Sequence, residues 1–171
     1  MRESRRRSPR AIAAAGTAAF LVLVPGVVAG LIPWALTGWR VDDAPLAVRI
    51  AGGAVVVGGA AFLIHAFARF VIEGIGTPAP VAPTERLVVG GAYRYVRNPM
   101  YLAVGATIVG QALLLAQWGL LAYAALFFAI VATFVITYEE PTLERQFGAD
   151  YEAYRRAVPG WFPRLHPWKP D

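Results

Sequence analysis

No cysteine occurs in the 171 residues. That absence excludes disulfides, thiolate nucleophiles, zinc–thiolate sites and iron–sulfur clusters. Histidine is nearly absent as well, and His65 and His166 are too few and too far apart to suggest a metal site. Charge is scarce: 16% of residues are Asp, Glu, Lys or Arg against 57% hydrophobic, with a mean hydropathy of +0.51. A soluble domain carries about a quarter charged residues. A chain this apolar cannot be wetted on all sides, so a bilayer is its expected surroundings. The net charge is +5. Because the arginines flank hydrophobic runs, orientation and anionic lipid headgroups account for them, and no nucleic-acid partner is expected.

Four apolar runs follow one another. Residues 1–10, MRESRRRSPR, form a basic tail, and residues 11–36 then carry no charge. That run is longer than the apolar core of a signal peptide and reads as a retained first span. Pro25-Gly26 allows a kink in it, and Gly26/Gly30 offer a close-packing pair. A polar loop, TGWRVDDAP, leads to a second span over 46–70, where Ala54, Gly58 and Gly59 offer a small-residue face and Arg49 and Arg69 lie near the ends. His65 is nearly intramembrane. It is either a functional group or, the favoured reading, a side chain bonded to a carbonyl.

Residues 73–89 hold three prolines and two glycines and read as an irregular surface segment. The run from Met100 to Tyr138 would extend about 58 Å as one helix, against a hydrocarbon core of about 30 Å. It must fold back at 117–119, with Trp118 at the far interface. The fold class expected is therefore all-α and integral to the membrane, with four transmembrane helices and a C-terminal interfacial segment. Three regions result: a basic tail 1–10, two helices over 11–72, and a catalytic region 73–171 containing the hairpin 99–138.

Counting Arg and Lys gives 14 on one side and Arg40 and Arg49 on the other. That split places both termini and the Arg97 loop in the cytoplasm. Beyond the fourth span, Leu143, Phe147, Tyr151, Tyr154 and Val158 form an amphipathic stripe. Gly148 divides it, with Asp150 expected to cap a second short helix ending before Pro159. The aromatic, proline-broken end GWFPRLHPW suits the interface.

The stretch 90–101, GGAYRYVRNPMY, organises the rest. Asn98-Pro99 reads as a helix start, because Asn is a favoured N-cap and Pro is favoured at the first helical position. Arg94 and Arg97 beside a helix N-terminus make a site for an anion, or else basic anchors at a helix mouth. Glu139 and Glu140 end the fourth span. Carboxylates at a helix C-terminus oppose the dipole, and such a violation usually marks a site. The hairpin returns them to the face where Arg94 and Arg97 sit. The four charges form either a salt bridge tying the hairpin ends or a pocket with cationic and anionic walls, suited to a zwitterion.

YRYVRNPMY, followed after the hairpin by EEPTLERQFGADYEAYRRAVPGWFP, resembles the isoprenylcysteine carboxyl methyltransferase and phospholipid methyltransferase superfamily of integral-membrane enzymes. The resemblance covers roughly residues 90–163, and the first two spans match only in being apolar. The superfamily's Tyr-Arg-x-x-Arg-His-Pro-x-Tyr pattern falls on Tyr93, Arg94, Arg97, Asn98, Pro99 and Tyr101. Its Glu-Glu-x-x-Leu falls on Glu139, Glu140 and Leu143, and its aromatic tail on Phe147, Gly148, Tyr151 and Tyr154. Asn98 stands where the best-known members have His, and Asn cannot titrate.

The resemblance implies S-adenosylmethionine as cofactor, bound by these residues in a cytoplasm-facing pocket, and a lipid or small hydrophobic acceptor entering from the bilayer. Arg97 is expected to hold the cofactor carboxylate or an anionic substrate group, with Arg94 supporting it. Glu140 or Glu139 is expected to take a proton from an amine acceptor. The tyrosines either stack on the cofactor or anchor the interface. A non-catalytic protein with a structural Arg/Glu clamp or a lipid-headgroup site is the alternative. Neither the methylated atom (O, N or S) nor an oligomeric state is fixed by the sequence.

Overall fold

Apolar helices joined by tight turns account for most of the computed structural model, which describes residues 23–74 and 86–169. The basic tail, the first half of the expected first span and most of the irregular segment 73–89 lie outside those residues. The helices are α1 (Leu23–Thr37), α2 (Leu46–Gly74), α3 (Pro99–Leu115), α4 (Gly119–Phe147) and α5 (Ala149–Ala157), with a 3₁₀ turn at Gly91–Arg94. No strand occurs among the described residues.

Two of these helices, not four, have the length and apolarity to cross a membrane: Leu46–Arg69 with 24 residues and Gly119–Phe147 with 29. α3 is apolar but has only 17 residues, about 26 Å at 1.5 Å per residue. α1 is described only from Leu23 and is also short. The outward faces of the two long helices are apolar, with Ile50, Ile64, Ile130 and Ile136 all about three-fifths exposed.

The expected hairpin forms at its expected place. α3 ends on Ala116, which adopts a left-handed φ of 54°, and Gln117 and Trp118 complete the reversal into α4. Trp118 is exposed. Side chains of α2, α3 and α4 build one core from Leu63, Phe67, Val104, Ile108, Leu120 and Ala124.

Glycines set the closest approach, and only in part those the sequence favoured. A Cβ on Gly26 or Gly30 would meet nothing within 4 Å among the described residues, so that pair makes no close contact with a described neighbour. A Cβ on Gly52 would run into the Leu114 amide nitrogen, and one on Gly110 would lie 2.8 Å from that of Val56. Gly59 touches Thr107 in the same way, with its Cβ position 2.7 Å from Oγ1. α2 and α3 are thus in backbone contact along their length.

Proline explains a second feature. A π-helical segment, Val27–Leu31, precedes Pro33, and another, Val135–Glu139, precedes Pro141. A proline lacks the N–H that would bond a carbonyl four or five residues back. For Pro33 those carbonyls are Ala29 and Val28. Gln111 Nε2 donates to the Ala29 oxygen at 2.6 Å, and the Tyr123 hydroxyl donates to that of Val28 at 2.8 Å. Side chains of α3 and α4 thereby satisfy what proline frees in α1.

Gly52→Ala and Gly110→Ala are each expected to cost about 1–3 kcal/mol, the usual range for overpacking. Gly53→Ala, whose nearest contact would be an ordinary 3.7 Å, should leave stability unchanged. Thermal unfolding of the three variants in detergent reads the difference.

Candidate active site

The stretch from Gly90 to Tyr101 is held from two directions. Proline at the first position of α3 fixes its end. Asn98 occupies the N-cap position, but its side chain makes no capping bond; Nδ2 donates instead to the Gly160 carbonyl at 3.1 Å. The C-terminal segment after α5 runs back alongside. Arg97 N donates to Pro159 O, Asn98 N to Gly160 O, Arg164 N to Tyr95 O and Trp168 N to Arg94 O, all between 2.9 and 3.2 Å. This strap was read from sequence only as an interfacial aromatic end. Its pairing depends on backbone groups, which carry no residue code.

α5 supplies the third wall. Gly148, at φ 51°, separates α4 from α5 as the sequence indicates, and it also takes the N-cap position expected of Asp150. Tyr151 and Tyr154 turn inward and are buried. The Tyr154 hydroxyl donates to Tyr93 O at 2.7 Å, tying α5 to the 3₁₀ turn. Burial pushes the phenol pKa of both tyrosines up.

At the centre lies Arg97. Its Nη1 donates to Glu140 Oε1 at 2.6 Å and to the Tyr151 hydroxyl at 3.0 Å. The Arg97 and Glu140 side chains are 14% and 15% exposed. Arg155 approaches the other Glu140 oxygen at 3.7 Å and Glu144 at 3.9 Å. Arg97 Nε is buried and has no hydrogen-bond partner among the described residues. A Cβ on Gly160 would stand 3.2 Å from Arg97 Nη2, so the strap closes directly over the guanidinium.

Glu139 faces elsewhere. It accepts a hydrogen bond from the Tyr101 hydroxyl at 2.9 Å. Trp161 of the strap lies with its ring 6.4 Å from that of Tyr101 and 6.4 Å from that of Phe128. The sequence argument that these carboxylates oppose a helix C-terminus does not hold. The helix continues through the π segment and Pro141 to Phe147, so both glutamates are interior to it. Neither is set against the dipole: Glu140 is answered by Arg97 and Arg155, and Glu139 by the Tyr101 hydroxyl.

Arg94 does not join this cluster. Its Nε donates to Trp168 O at 2.6 Å, and the residue lines a cavity of about 500 Å³ together with Phe62, His65, Arg69 and Tyr95. His65 is exposed on that wall and bonds no carbonyl among the described residues. A second cavity, about 350 Å³, lies between α2 and α3. Tyr93 is buried beside Tyr154, and Pro99 is buried at the start of α3. Of the residues expected to form one site, the structure joins Arg97 to Glu140 and Tyr101 to Glu139, while Asn98 is tied to the strap. Among the described residues no group of His, Cys, Asp and Glu is arranged to hold a metal ion.

The family model for phospholipid methyltransferases matches residues 47–150, from α2 to the start of α5. The chain belongs to the phospholipid methyltransferase family. Membership takes in α2, where the sequence offered only hydrophobicity. Among curated proteins, the nickel-cobalt-cadmium resistance protein NccN of Alcaligenes xylosoxydans xylosoxydans is 37% identical over 82 residues. The aligned part is 48% of this chain and 38% of that relative's length, so the chain spans well under half of the curated relative it matches. No solved structure matches the chain.

Breaking a buried ion pair strands its partner. Arg97→Met or Glu140→Met alone is therefore expected to cost about 3 kcal/mol, and the double variant less than the sum of the two. Chemical or thermal unfolding of the four proteins tests this. The raised phenol pKa values of Tyr151 and Tyr154 predict stability that is full below the unfolded value of about 10 and lost as pH rises beyond it. Tyr154→Phe should flatten that alkaline limb, as read by melting temperature against pH.

Proposed function

We propose that this member of the phospholipid methyltransferase family is an integral-membrane methyltransferase that uses S-adenosylmethionine and methylates a lipid-like or small hydrophobic acceptor. Family membership supports methyl transfer, and the two long apolar helices support a membrane setting. In this reading α1 and α3 also cross the bilayer, with both termini cytoplasmic. The observation that carries the cofactor assignment is the Arg97–Glu140–Tyr151 cluster, with its buried, unpartnered Arg97 Nε.

The donors and acceptors fit a zwitterion. Arg97 offers a guanidinium N–H that lacks an acceptor, and the consecutive Glu140 and Glu139 offer carboxylates, the first at Arg97 and the second at Tyr101. Arg97 would take the carboxylate of the cofactor's amino-acid end, and Glu140 its ammonium. Arg97 and Glu140 touch, so one of them turns aside when the site fills. Tyr93, Asn98, Pro99 and Tyr101 flank that site in the proposal, with Asn98 holding the strap and Tyr101 orienting Glu139, while Arg94, expected to support Arg97, faces the cavity on the α2 side.

When bound, S-adenosylmethionine supplies an electrophilic methyl group on a sulfonium. A carboxylate or thiolate acceptor needs no base, and alignment in a dry pocket is then the main contribution of the protein. An amine acceptor must lose a proton. Glu140 is engaged by two arginines, so Glu139 is the better placed base, with the Tyr101 hydroxyl as its only described partner.

A second reading, a non-catalytic protein in which Arg97 and Glu140 are a structural clamp, is favoured by their 2.6 Å contact. Calorimetric titration of the detergent-solubilised chain with S-adenosylmethionine separates the two. Micromolar binding is expected, weakened at least about tenfold by Arg97→Lys, which keeps the charge but loses the fork. A folded wild-type protein that releases no heat would retire the methyltransferase and leave the clamp.

A further inference from the structure

The strap over Arg97 has two faces of opposite character. Val158 is buried, Trp161 sets its ring beside those of Tyr101 and Phe128, and Trp168 sets its ring 5.5 Å from that of Tyr154. Between these inward residues stand Phe162 and Leu165. They are 84% and 92% exposed, more than any other large apolar side chain among the described residues. We infer that Phe162 and Leu165 are a docking surface for the bilayer itself, and that lipid thereby holds the strap shut over the Arg97–Glu140 site.

The strap lies where lipid would reach it. Pro163, between the two anchors in sequence, lines the trough between α2 and α3 together with Phe62, Leu102 and Ala106. Leu102 and Ala106 belong to the first two turns of α3, and two residues past Phe62 the outer face of α2 carries exposed Ile64. The anchors thus continue an apolar surface. Arg164 does not interrupt it, because it is drawn inward: its N donates to Tyr95 O at 2.9 Å and its Nη1 to Ala157 O at 2.8 Å. His166 and Lys169 follow on the exposed side, polar groups that suit the headgroup layer. Two large apolar side chains left this bare cost free energy in water and gain it in lipid.

From anchoring to closure is a short step. Phe162 comes two residues after Gly160, whose carbonyl accepts from Asn98 N at 3.2 Å and from Asn98 Nδ2 at 3.1 Å. The same glycine brings the backbone against Arg97 Nη2. From inside, the strap is held by Trp161 against Phe128, whose ring fills the notch at Gly105. From outside, no described residue covers Phe162 or Leu165, and the bilayer takes that part. A ligand bound for Arg97 enters by lifting the strap, so the anchors set how readily the site opens. The inference rests on the proposed function only in naming S-adenosylmethionine as what the strap shuts in; anchoring itself needs no ligand.

The absence of cysteine makes a direct test possible. Phe162→Cys, Leu165→Cys and, as an aqueous reference, Arg156→Cys on the exposed side of α5 are each nitroxide-labelled in the full chain in phosphatidylcholine vesicles. Labels at 162 and 165 are expected to meet dissolved oxygen and to be shielded from a water-soluble nickel chelate, while the reference label meets both. Hydrogen exchange reads closure. The double variant Phe162→Ser/Leu165→Ser should exchange the amides of Arg97, Asn98, Arg164 and Trp168 about tenfold faster than the wild type, the worth of partly burying one such side chain. Amides of the α2–α3 core should not change, and label depth decides the matter if they do. Phe162→Leu/Leu165→Phe, which keeps the surface apolar, should restore the slow rate. Labels at 162 and 165 as open to nickel as the reference, or unchanged exchange in the serine variant, overturn the inference. Dipolar broadening between labels on two chains would also overturn it, by assigning the surface to a second copy. A lipid-held strap on a protein that releases no heat with S-adenosylmethionine would end the methyltransferase reading and keep the anchor. Cofactor binding with aqueous labels at 162 and 165 would do the reverse.

Discussion

A guanidinium withdrawn from water has to be answered by a carboxylate and by further oxygens, and that demand, placed at Arg97, shapes the region around it. Glu140 comes from the long fourth helix and Tyr151 from the fifth, while the strap at Pro159 and Gly160 receives the backbone N–H groups of Arg97 and Asn98. Two helices and the strap that follows them meet at Arg97. Remove its charge and the carboxylate of Glu140 keeps only the longer contact to half-exposed Arg155. The cluster therefore orders the polar end of the molecule whether or not it also does chemistry.

The opposite problem is solved in the apolar part. There the liabilities are carbonyls, because a proline-freed oxygen among apolar side chains has no water to turn to. Val28 and Ala29 are rescued by Tyr123 and Gln111, which belong to two other helices. Two polar side chains in otherwise apolar runs thus have a definite structural use. They bind α1 to the α3–α4 hairpin by hydrogen bonds.

What was legible in the sequence is what local chemistry dictates. Helix length against bilayer thickness gave the reversal near Trp118, Asn98-Pro99 gave the start of α3, and Gly148 gave the break before α5. The meeting of Arg97 with Glu140 followed from the hairpin alone. Less was legible where the outcome depends on a neighbour. The fourth span is expected to end at Glu139 and Glu140, yet a π segment ahead of Pro141 absorbs the lost hydrogen bond and the helix runs on to Phe147. Gly52 and Gly110 look no different from Gly26 and Gly30 in sequence, and only the facing helix decides which of them are in contact. The strap was hidden because backbone pairing leaves no residue signature.

The turn at residues 93–98 shows why two arginines three positions apart have different surroundings. Tyr93 and Val96 are buried, 8% and 2% exposed, and they fix which way the intervening side chains leave the turn. Arg94 and Tyr95 then emerge on the α2 side, beside His65, while Arg97 emerges toward α4 and α5. A 3₁₀ turn has three residues per turn and would place positions 94 and 97 on the same side. The turn ends at Arg94, and Asn98 sits at φ −113° and ψ 53°, so the backbone rotates between the two arginines. A mouth lined by cations and a closed ion cluster can then stand back to back across one buried strip of chain.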